Sequence, residues 1–136
     1  MSVGLDTSVA LRLLTGTPAE QAESARAFVA AEEEPVTLSD LVVAELYFAL
    51  RHHYAVPHLE SVRAIRALLA DPRVRGPGIA HAVFSEVLAR GSSKSRPGLI
   101  DSLIHADYAR DGLEIVTFDR DLARLPGARL LRTAPA

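Results

Sequence analysis

The stretch LEIVTFD, residues 113–119, decides the fold class, because it contains the clearest β-strand of the chain and ends on an acid. Its β-branched and aromatic residues favour a buried strand. A helix over 99–111 precedes it and stops at Gly112, while a short helix over 121–125 and an edge strand over 128–131 follow it. This alternation predicts parallel strands joined by helices.

The same alternation extends back to the N-terminus. Strands are predicted over 2–5, ending at Asp6, over 36–38, and more weakly over 73–75. Between them, capping residues and apolar periodicity predict helices over 9–14, 18–31, 41–54, 57–70 and 79–90. Thr17-Pro18 with Glu20 has the pattern of a capping box, with proline at the first helical position. We therefore predict one α/β/α layered domain spanning residues 1–136.

Composition narrows the possible functions. The 136 residues, 49 % hydrophobic and 24 % charged, fit one soluble globular domain. The absence of cysteine excludes disulfides, thiol catalysis and cysteine-ligated metal. A net charge of -2 argues against binding nucleic acid through bulk positive charge. With no signal peptide or membrane span in the sequence, a cytoplasmic protein without membrane contact is expected.

Three acids lie where a parallel sheet binds ligands. Asp6 and Asp119 each follow a predicted strand, and ligands of such sheets bind beyond the carboxyl ends of the strands. Asp101 is in the first turn of the helix that follows the Gly- and Ser-rich stretch 91–98. We therefore expect these carboxylates to be offered to a common ligand.

Glu45 is unusual because it is the only charged residue in LVVAELYFAL, residues 41–50, a helix that is apolar almost all round. A carboxylate buried there would cost several kcal/mol unless it were paired. We therefore expect Glu45 to face a metal, a cation or a water-filled pocket.

Four carboxylates that converge would repel one another, and a divalent cation reverses that penalty. Oxygen ligands with positions left for water suit Mg²⁺ or Mn²⁺. Such an ion can hold a phosphodiester and lower the pKa of a bound water. The pattern therefore indicates metal-assisted phosphodiester hydrolysis.

Three segments carry a family resemblance: VGLDTSVALRLL (3–14), LVVAELYFAL (41–50) and LIDSLIHADYARDGLEIVTFDRDL (99–122). In order and spacing they resemble a PIN domain, and more narrowly the ribonuclease toxins of bacterial VapBC toxin–antitoxin pairs. The resemblance implies a PIN-like three-layer α/β/α sandwich with a small, mostly parallel twisted sheet. It also implies an endoribonuclease that uses Mg²⁺ or Mn²⁺.

Carried over residue by residue, the resemblance matches Asp6, Glu45, Asp101 and Asp119 to the family's acidic quartet. Of these we expect Asp6, Asp101 and Asp119 to be the metal ligands. Thr7 or Ser8 matches the small polar residue beside the first Asp, where it would contact substrate. The implied partners are RNA, a second copy of the chain, and a cognate antitoxin that blocks the site. Dimerisation, or a groove for an amphipathic segment, would also cover the surplus of apolar helical surface.

Several assignments stay open at the sequence level. Lys94 and Arg96 would grip an RNA phosphate near the metal or belong to an ordinary solvated loop, and Arg12 is a similar candidate. Asp119 and Asp121 compete for the place at the strand end; we favour Asp119, with Asp121 as helix cap or supporting residue.

Two other function classes compete with the enzyme. A catalytically silent module of the same fold would act through RNA or a partner protein, but it would have no reason to keep four repelling carboxylates. A phosphoacceptor receiver domain also gathers aspartates at strand ends. It needs an acidic pair early in the chain and a lysine after the last strand, and neither is present.

Overall fold

Short parallel strands lie at the centre of the N-terminal part of the chain. In the computed structural model, which describes residues 2–90 and 98–132, β1 (Val36–Thr37) pairs in parallel with β2 (Val74–Arg75). On its other side Thr37 forms a parallel bridge with Gly4, and its amide donates to the Val3 carbonyl at 2.8 Å. The strand predicted over 2–5 is thus reduced to this single bridge.

The chain forms two compact units, residues 1–89 and residues 90–136. In the first, the strands are connected and covered by helices whose order follows the prediction. They are α1 (Thr7–Thr15), α2 (Ala19–Ala31), α3 (Asp40–Phe48), a π-helix (Ala49–His53), α4 (His58–Ala70) and α5 (Ala80–Arg90).

The core of the first unit is built from the apolar positions that helical and strand periodicity selected. Val36 and Leu38 are fully buried at the strands, and Val62 and Ile65 are fully buried on α4. On α5, Val83, Phe84 and Val87 are buried, whereas Leu88 is half-buried. Removing this apolar surface from water is the main force that holds such short strands in place.

Helix ends follow the predicted chemistry only in part. Ser39 caps α3 by accepting the Val42 amide at 3.2 Å, and Gly16 ends α1 in the left-handed conformation. The capping box at Thr17 is wrong: α2 begins at Ala19, Pro18 is its N-cap, and no side chain caps it. Proline supplies the extended backbone before the helix instead.

Asp40 is a carboxylate with a structural task. It accepts the amides of Ile79 and Ala80, both at 3.1 Å, and so caps the start of α5 rather than its own helix. Gly78 makes this approach possible, because a Cβ there would lie 2.0 Å from the Asp40 carboxylate. Asp40 thereby links α3 to α5.

The helix predicted over 41–54 is divided in two. α3 ends at Phe48, and the π-helix Ala49–His53 continues it with wider turns. The Arg51 guanidinium donates to the Val56 carbonyl at 3.2 Å, and the Tyr47 hydroxyl lies 2.7 Å from His58 Nδ1. These contacts fix the connection into α4.

The second unit contains α6 (Leu99–Arg110), β3 (Ile115–Thr117), a 3-10 helix (Leu122–Arg124) and β4 (Ala128–Leu130). β3 and β4 are parallel, with Ile115 opposite Ala128. His105 Nε2 lies 2.5 Å from the Pro126 carbonyl oxygen, which ties α6 to the segment before β4. The α/β class with parallel strands is therefore confirmed. Within 2–90 and 98–132, no helix has the length and apolar character needed to cross a membrane.

Candidate functional site

Asp6 stands where the chain leaves the strand region and enters α1. Its backbone is extended (φ -77°, ψ 161°), which makes it the N-cap, and its carbonyl accepts the amides of Val9 and Ala10 at 3.1 Å each. The exposed carboxylate accepts the Ser8 hydroxyl at 3.1 Å. An anion at this point is stabilised by the helix dipole.

The ionisation of Asp6 follows from these neighbours. The Ser8 hydroxyl first, and then the amides of Thr7 and Ser8, hold the pKa of Asp6 below its ordinary value. Asp6 is therefore an anion at neutral pH and is already supplied with hydrogen-bond donors.

Glu45 is joined to this point by Thr7, whose hydroxyl donates to Glu45 Oε2 at 2.8 Å. The side chain of Glu45 is exposed although its helix segment is apolar, and Leu41 and Phe48 on the same helix are exposed as well. The run is apolar all round, yet within α3 only Val43 and Leu46 are buried. We call Asp6, Thr7, Ser8 and Glu45 the N-terminal acidic group.

A cavity of roughly 800 Å³ opens between α1 and α2 beside this group. Asp6 and Ser8 line it together with Arg12, and Phe28 contributes an apolar wall that is 46 % exposed. Arg12 Nε donates to Gln21 Oε1 at 2.6 Å, which fixes the direction of the guanidinium. Sequence reasoning missed Gln21; the signal was only its place in the first turns of α2.

In the second unit, Asp101 lies in the first turn of α6, as predicted, and is half-buried. Burial, followed by the negative charges of Asp119 and Asp121, raises the pKa of Asp101 above its ordinary value. We call Asp101, Asp119 and Asp121 the C-terminal acidic group.

Asp119 follows β3 and is held by the backbone after it. Its Oδ1 accepts the amides of Asp121 at 2.7 Å and Leu122 at 3.2 Å, and its own amide donates to Thr117 Oγ1 at 3.0 Å. Asp121 was predicted as a helix cap. It does occupy the N-cap position, but the capping carboxylate belongs to Asp119, while Asp121 lies 3.9 Å from Arg124 Nη1.

The predicted site residues are therefore brought together in two sets. Thr7 contacts Glu45 and Ser8 contacts Asp6 in the first unit, and Asp119 and Asp121 act on Asp101 in the second. In neither unit do the described residues form a group of three or more His, Cys, Asp or Glu side chains placed to hold a metal ion. Lys94 and Arg96 lie outside the described residues.

The chemistry of the donors fits a hard divalent cation. Both acidic groups offer carboxylate oxygens, and the N-terminal acidic group adds the hydroxyls of Thr7 and Ser8; Mg²⁺ and Mn²⁺ prefer such oxygen ligands over nitrogen or sulfur. In the C-terminal acidic group the like charges already disfavour the ionised form of Asp101, and a cation would reverse that effect. Acids placed after parallel strands lie where such sheets bind ligands.

The chain matches the family model for the PIN domain over residues 3–128. Because this match spans both units and most of the sequence, the chain belongs to the PIN-domain family, as the motifs predicted. No curated protein matches the chain.

Solved structures similar to this chain include two from toxin–antitoxin systems. One is VapC20 of Mycobacterium tuberculosis, described as a sarcin–ricin-loop-cleaving toxin, with 21 % identity, a TM-score of 0.42, and coverage of 88 % of this chain and 92 % of that chain. The other is VapBC2 of Rickettsia felis bound to a promoter DNA fragment, with 16 % identity, a TM-score of 0.40, and coverage of 96 % and 98 %.

Proposed function

We propose that this chain is a divalent-metal-dependent endoribonuclease that acts as the toxin of a type II, VapBC-like toxin–antitoxin pair. Membership of the PIN family implies a nuclease that works with divalent metal ions. The observation that carries the proposal is the C-terminal acidic group, where Asp101 is half-buried and the charges of Asp119 and Asp121 add to burial in raising its pKa. Such repulsion has a function if a cation binds there.

The metal ligands we propose are Asp6, Asp101 and Asp119, with Mg²⁺ as the ion and Mn²⁺ as an alternative. When bound, the ion would neutralise phosphate charge and lower the pKa of a water. Asp119 suits this role because two backbone amides fix its carboxylate, so little side-chain freedom is lost on binding. Ser8 similarly orients Asp6 and keeps it ionised.

Glu45 is proposed to orient or deprotonate the attacking water. The Thr7 hydroxyl donates to one of its oxygens at 2.8 Å and so fixes the carboxylate while leaving it exposed to solvent. An exposed, hydrogen-bonded carboxylate is able to accept a proton from water. Thr7 is therefore a positioning residue for Glu45.

Substrate contacts are proposed on the cationic side chains named by the sequence. Arg12 lines the cavity beside Asp6 and is oriented by Gln21, which suits a fixed contact with an RNA phosphate. Lys94 and Arg96 remain predicted phosphate contacts on sequence grounds alone.

The proposed antitoxin would act by covering the site. The cavity between α1 and α2 combines an apolar wall with Asp6 at one end, so an amphipathic segment seated there would block access to that carboxylate. We also propose a homodimer, as the resemblance to VapBC toxins implies.

The test is cleavage of a mixed RNA pool by purified wild type and by Asp6→Asn, each with Mg²⁺ and with EDTA. We expect cutting by wild type with Mg²⁺ only. Glu33→Gln is the matched control, because it removes an exposed carboxylate from the acidic turn Glu32-Glu33-Glu34 and should cut like wild type. Full activity of Asp6→Asn contradicts the proposed site. RNA binding without cleavage by wild type at any metal concentration would favour the catalytically silent module.

A further inference from the structure

Ring-bearing side chains are concentrated directly after Glu45. Two of the three tyrosines, one of the four phenylalanines and three of the five histidines lie between Tyr47 and His58. Aromatic residues make up only 5 % of the chain, so this concentration accounts for much of its capacity to stack on other rings.

Two of these rings form an exposed stack. Phe48 is 48 % exposed, and the imidazole of His52, also exposed, lies on it with ring centroids 5.8 Å apart and planes inclined by 27°. The π-helix carries His52, and short π-helical segments occur often at functional sites. We call this pair the Phe48–His52 platform.

The platform adjoins a proposed catalytic residue. Phe48 follows Glu45 by three positions on α3, so the two side chains lie on one face of the helix, and both are exposed. His53 and Tyr54 add a second, edge-to-face pair with centroids 4.9 Å apart. A carboxylate and a ring platform therefore share the same solvent-facing surface.

We propose that the Phe48–His52 platform stacks an unpaired base of the RNA strand next to the phosphodiester that Glu45 serves; this rests on the proposed function. Unpaired bases bind proteins chiefly by stacking on aromatic rings, and each stacked base contributes strongly to affinity. The imidazole adds nitrogens that can bond to a base edge or a phosphate. The enzyme would accordingly favour single-stranded RNA at this position.

A second copy of the chain fits this surface less well. A standard protein interface buries about 800 Å² on each partner. Here the exposed apolar side chains of α3 are Leu41 and Phe48, with the Glu45 carboxylate between them. A charged side chain at the centre of so small an apolar area disfavours a protein interface and suits a polar, charged ligand.

The experiment measures binding of two fluorescein-labelled probes, an oligoadenylate and an abasic oligonucleotide of the same length, in EDTA to prevent cleavage. Wild type should prefer the oligoadenylate, and Phe48→Ala should lose about 10-fold in affinity for it, with little change for the abasic probe. Phe48→Trp should restore the preference, which a merely structural defect would not allow. Leu41→Ala, on the same helix face, is the matched control and should bind like wild type.

Each other result overturns the inference. If Phe48→Ala binds both probes like wild type, or if Leu41→Ala weakens binding equally, the platform does not stack bases. If Phe48→Ala instead changes the oligomeric state in light scattering with unchanged probe affinity, the surface is a protein interface. Cleavage of the RNA pool by wild type is measured alongside. Cleavage without stacking refutes this inference alone, whereas absence of both cleavage and probe binding refutes the proposed function with it.

Discussion

The two acidic groups hold their carboxylates in opposite ways. In the N-terminal acidic group, hydroxyls and amides donate to the acids, and the pKa of Asp6 is lowered. In the C-terminal acidic group, burial and two like charges raise the pKa of Asp101. Asp6 is therefore stable as an anion without a metal, whereas the Asp101 carboxylate is under electrostatic strain that a cation would relieve.

The largest expected effect is the loss of RNA cleavage when the C-terminal acidic group is changed. Asp101→Asn should reduce metal-dependent RNA cleavage by at least roughly 100-fold, because it removes a proposed charge-bearing ligand of the ion. The measurement is initial cleavage rate at saturating Mg²⁺. Asp107→Asn, an exposed acid on the same helix that pairs with Arg110, is the control and should cut normally. Equal rates for both variants would remove Asp101 from the site.

A smaller loss of cleavage rate is expected for a change in the N-terminal acidic group. Thr7→Val keeps the shape of the side chain but removes the donor to Glu45, and should lower the cleavage rate by about 10-fold. Thr7→Ser should recover most of it. Thr15→Val is the control in the same helix, because the Thr15 hydroxyl donates only to the backbone carbonyls of Leu11 and Thr17. A fully active Thr7→Val would show that this bond has no part in catalysis.

Asp40 is a carboxylate whose loss we expect to lower folding stability without changing catalysis. Asp40→Ala leaves two amides at the start of α5 without their acceptor and should cost about 1 kcal/mol of unfolding free energy. The measurement is urea unfolding, and cleavage per folded molecule should not change. An activity loss beyond the loss of folded protein would give Asp40 a role in the site.

The smallest expected effect is a change in melting temperature, measured in EDTA for Asp101→Asn and Asp6→Asn. Asp101→Asn should raise the melting temperature by about 1 to 2 °C, because it removes a charge that the fold disfavours. Asp6→Asn should not raise it, because the Asp6 anion is hydrogen-bonded. A rise with Asp6→Asn, or a fall with Asp101→Asn, would reverse the comparison.

The pH dependence of these differences has a definite sign. The pKa of Asp101 is raised in the folded state. The lower folding stability of wild type relative to Asp101→Asn should therefore approach that of the variant as the pH falls towards 3.8. Because the folded pKa of Asp6 is lowered, the stability that Asp6 contributes is present above 3.8 and is lost as the pH falls through its folded value. Thermal unfolding across this acid range measures both.

Much of the fold was predictable because its signals are local. The apolar periodicity of α4 and the strand at Ile115 follow from residues within one turn or one strand. The π-helix was not predictable, because it shares the apolar spacing of an α-helix and differs only in backbone hydrogen bonding. The reduction of the strand predicted over 2–5 to one bridge with Thr37 was not predictable, because pairing depends on a partner distant in the sequence.

The sequence predicted which acids lie at the ends of strands and helices, but not how exposed each side chain is or which groups surround it. Asp6, Asp101 and Asp119 lie at the element ends where the sequence predicted them. The exposure of Glu45 was not predictable, because a run of apolar residues does not reveal which of its faces another element covers. The capping role of Asp40 depends on its contact with Ile79 and Ala80, which are distant in the sequence, and no local pattern encodes it.

The most direct test of the central claim is paramagnetic broadening by Mn²⁺, recorded on the backbone amide NMR signals of wild type and Asp101→Asn. We predict that substoichiometric Mn²⁺ broadens the signals of Asp101, Asp119 and Asp121 in wild type, and that Asp101→Asn weakens this effect. The acidic turn Glu32-Glu33-Glu34 is the internal control for non-specific attraction. Equal broadening of that turn and of the C-terminal acidic group, unchanged in Asp101→Asn, would contradict the claim that these aspartates form a cation site.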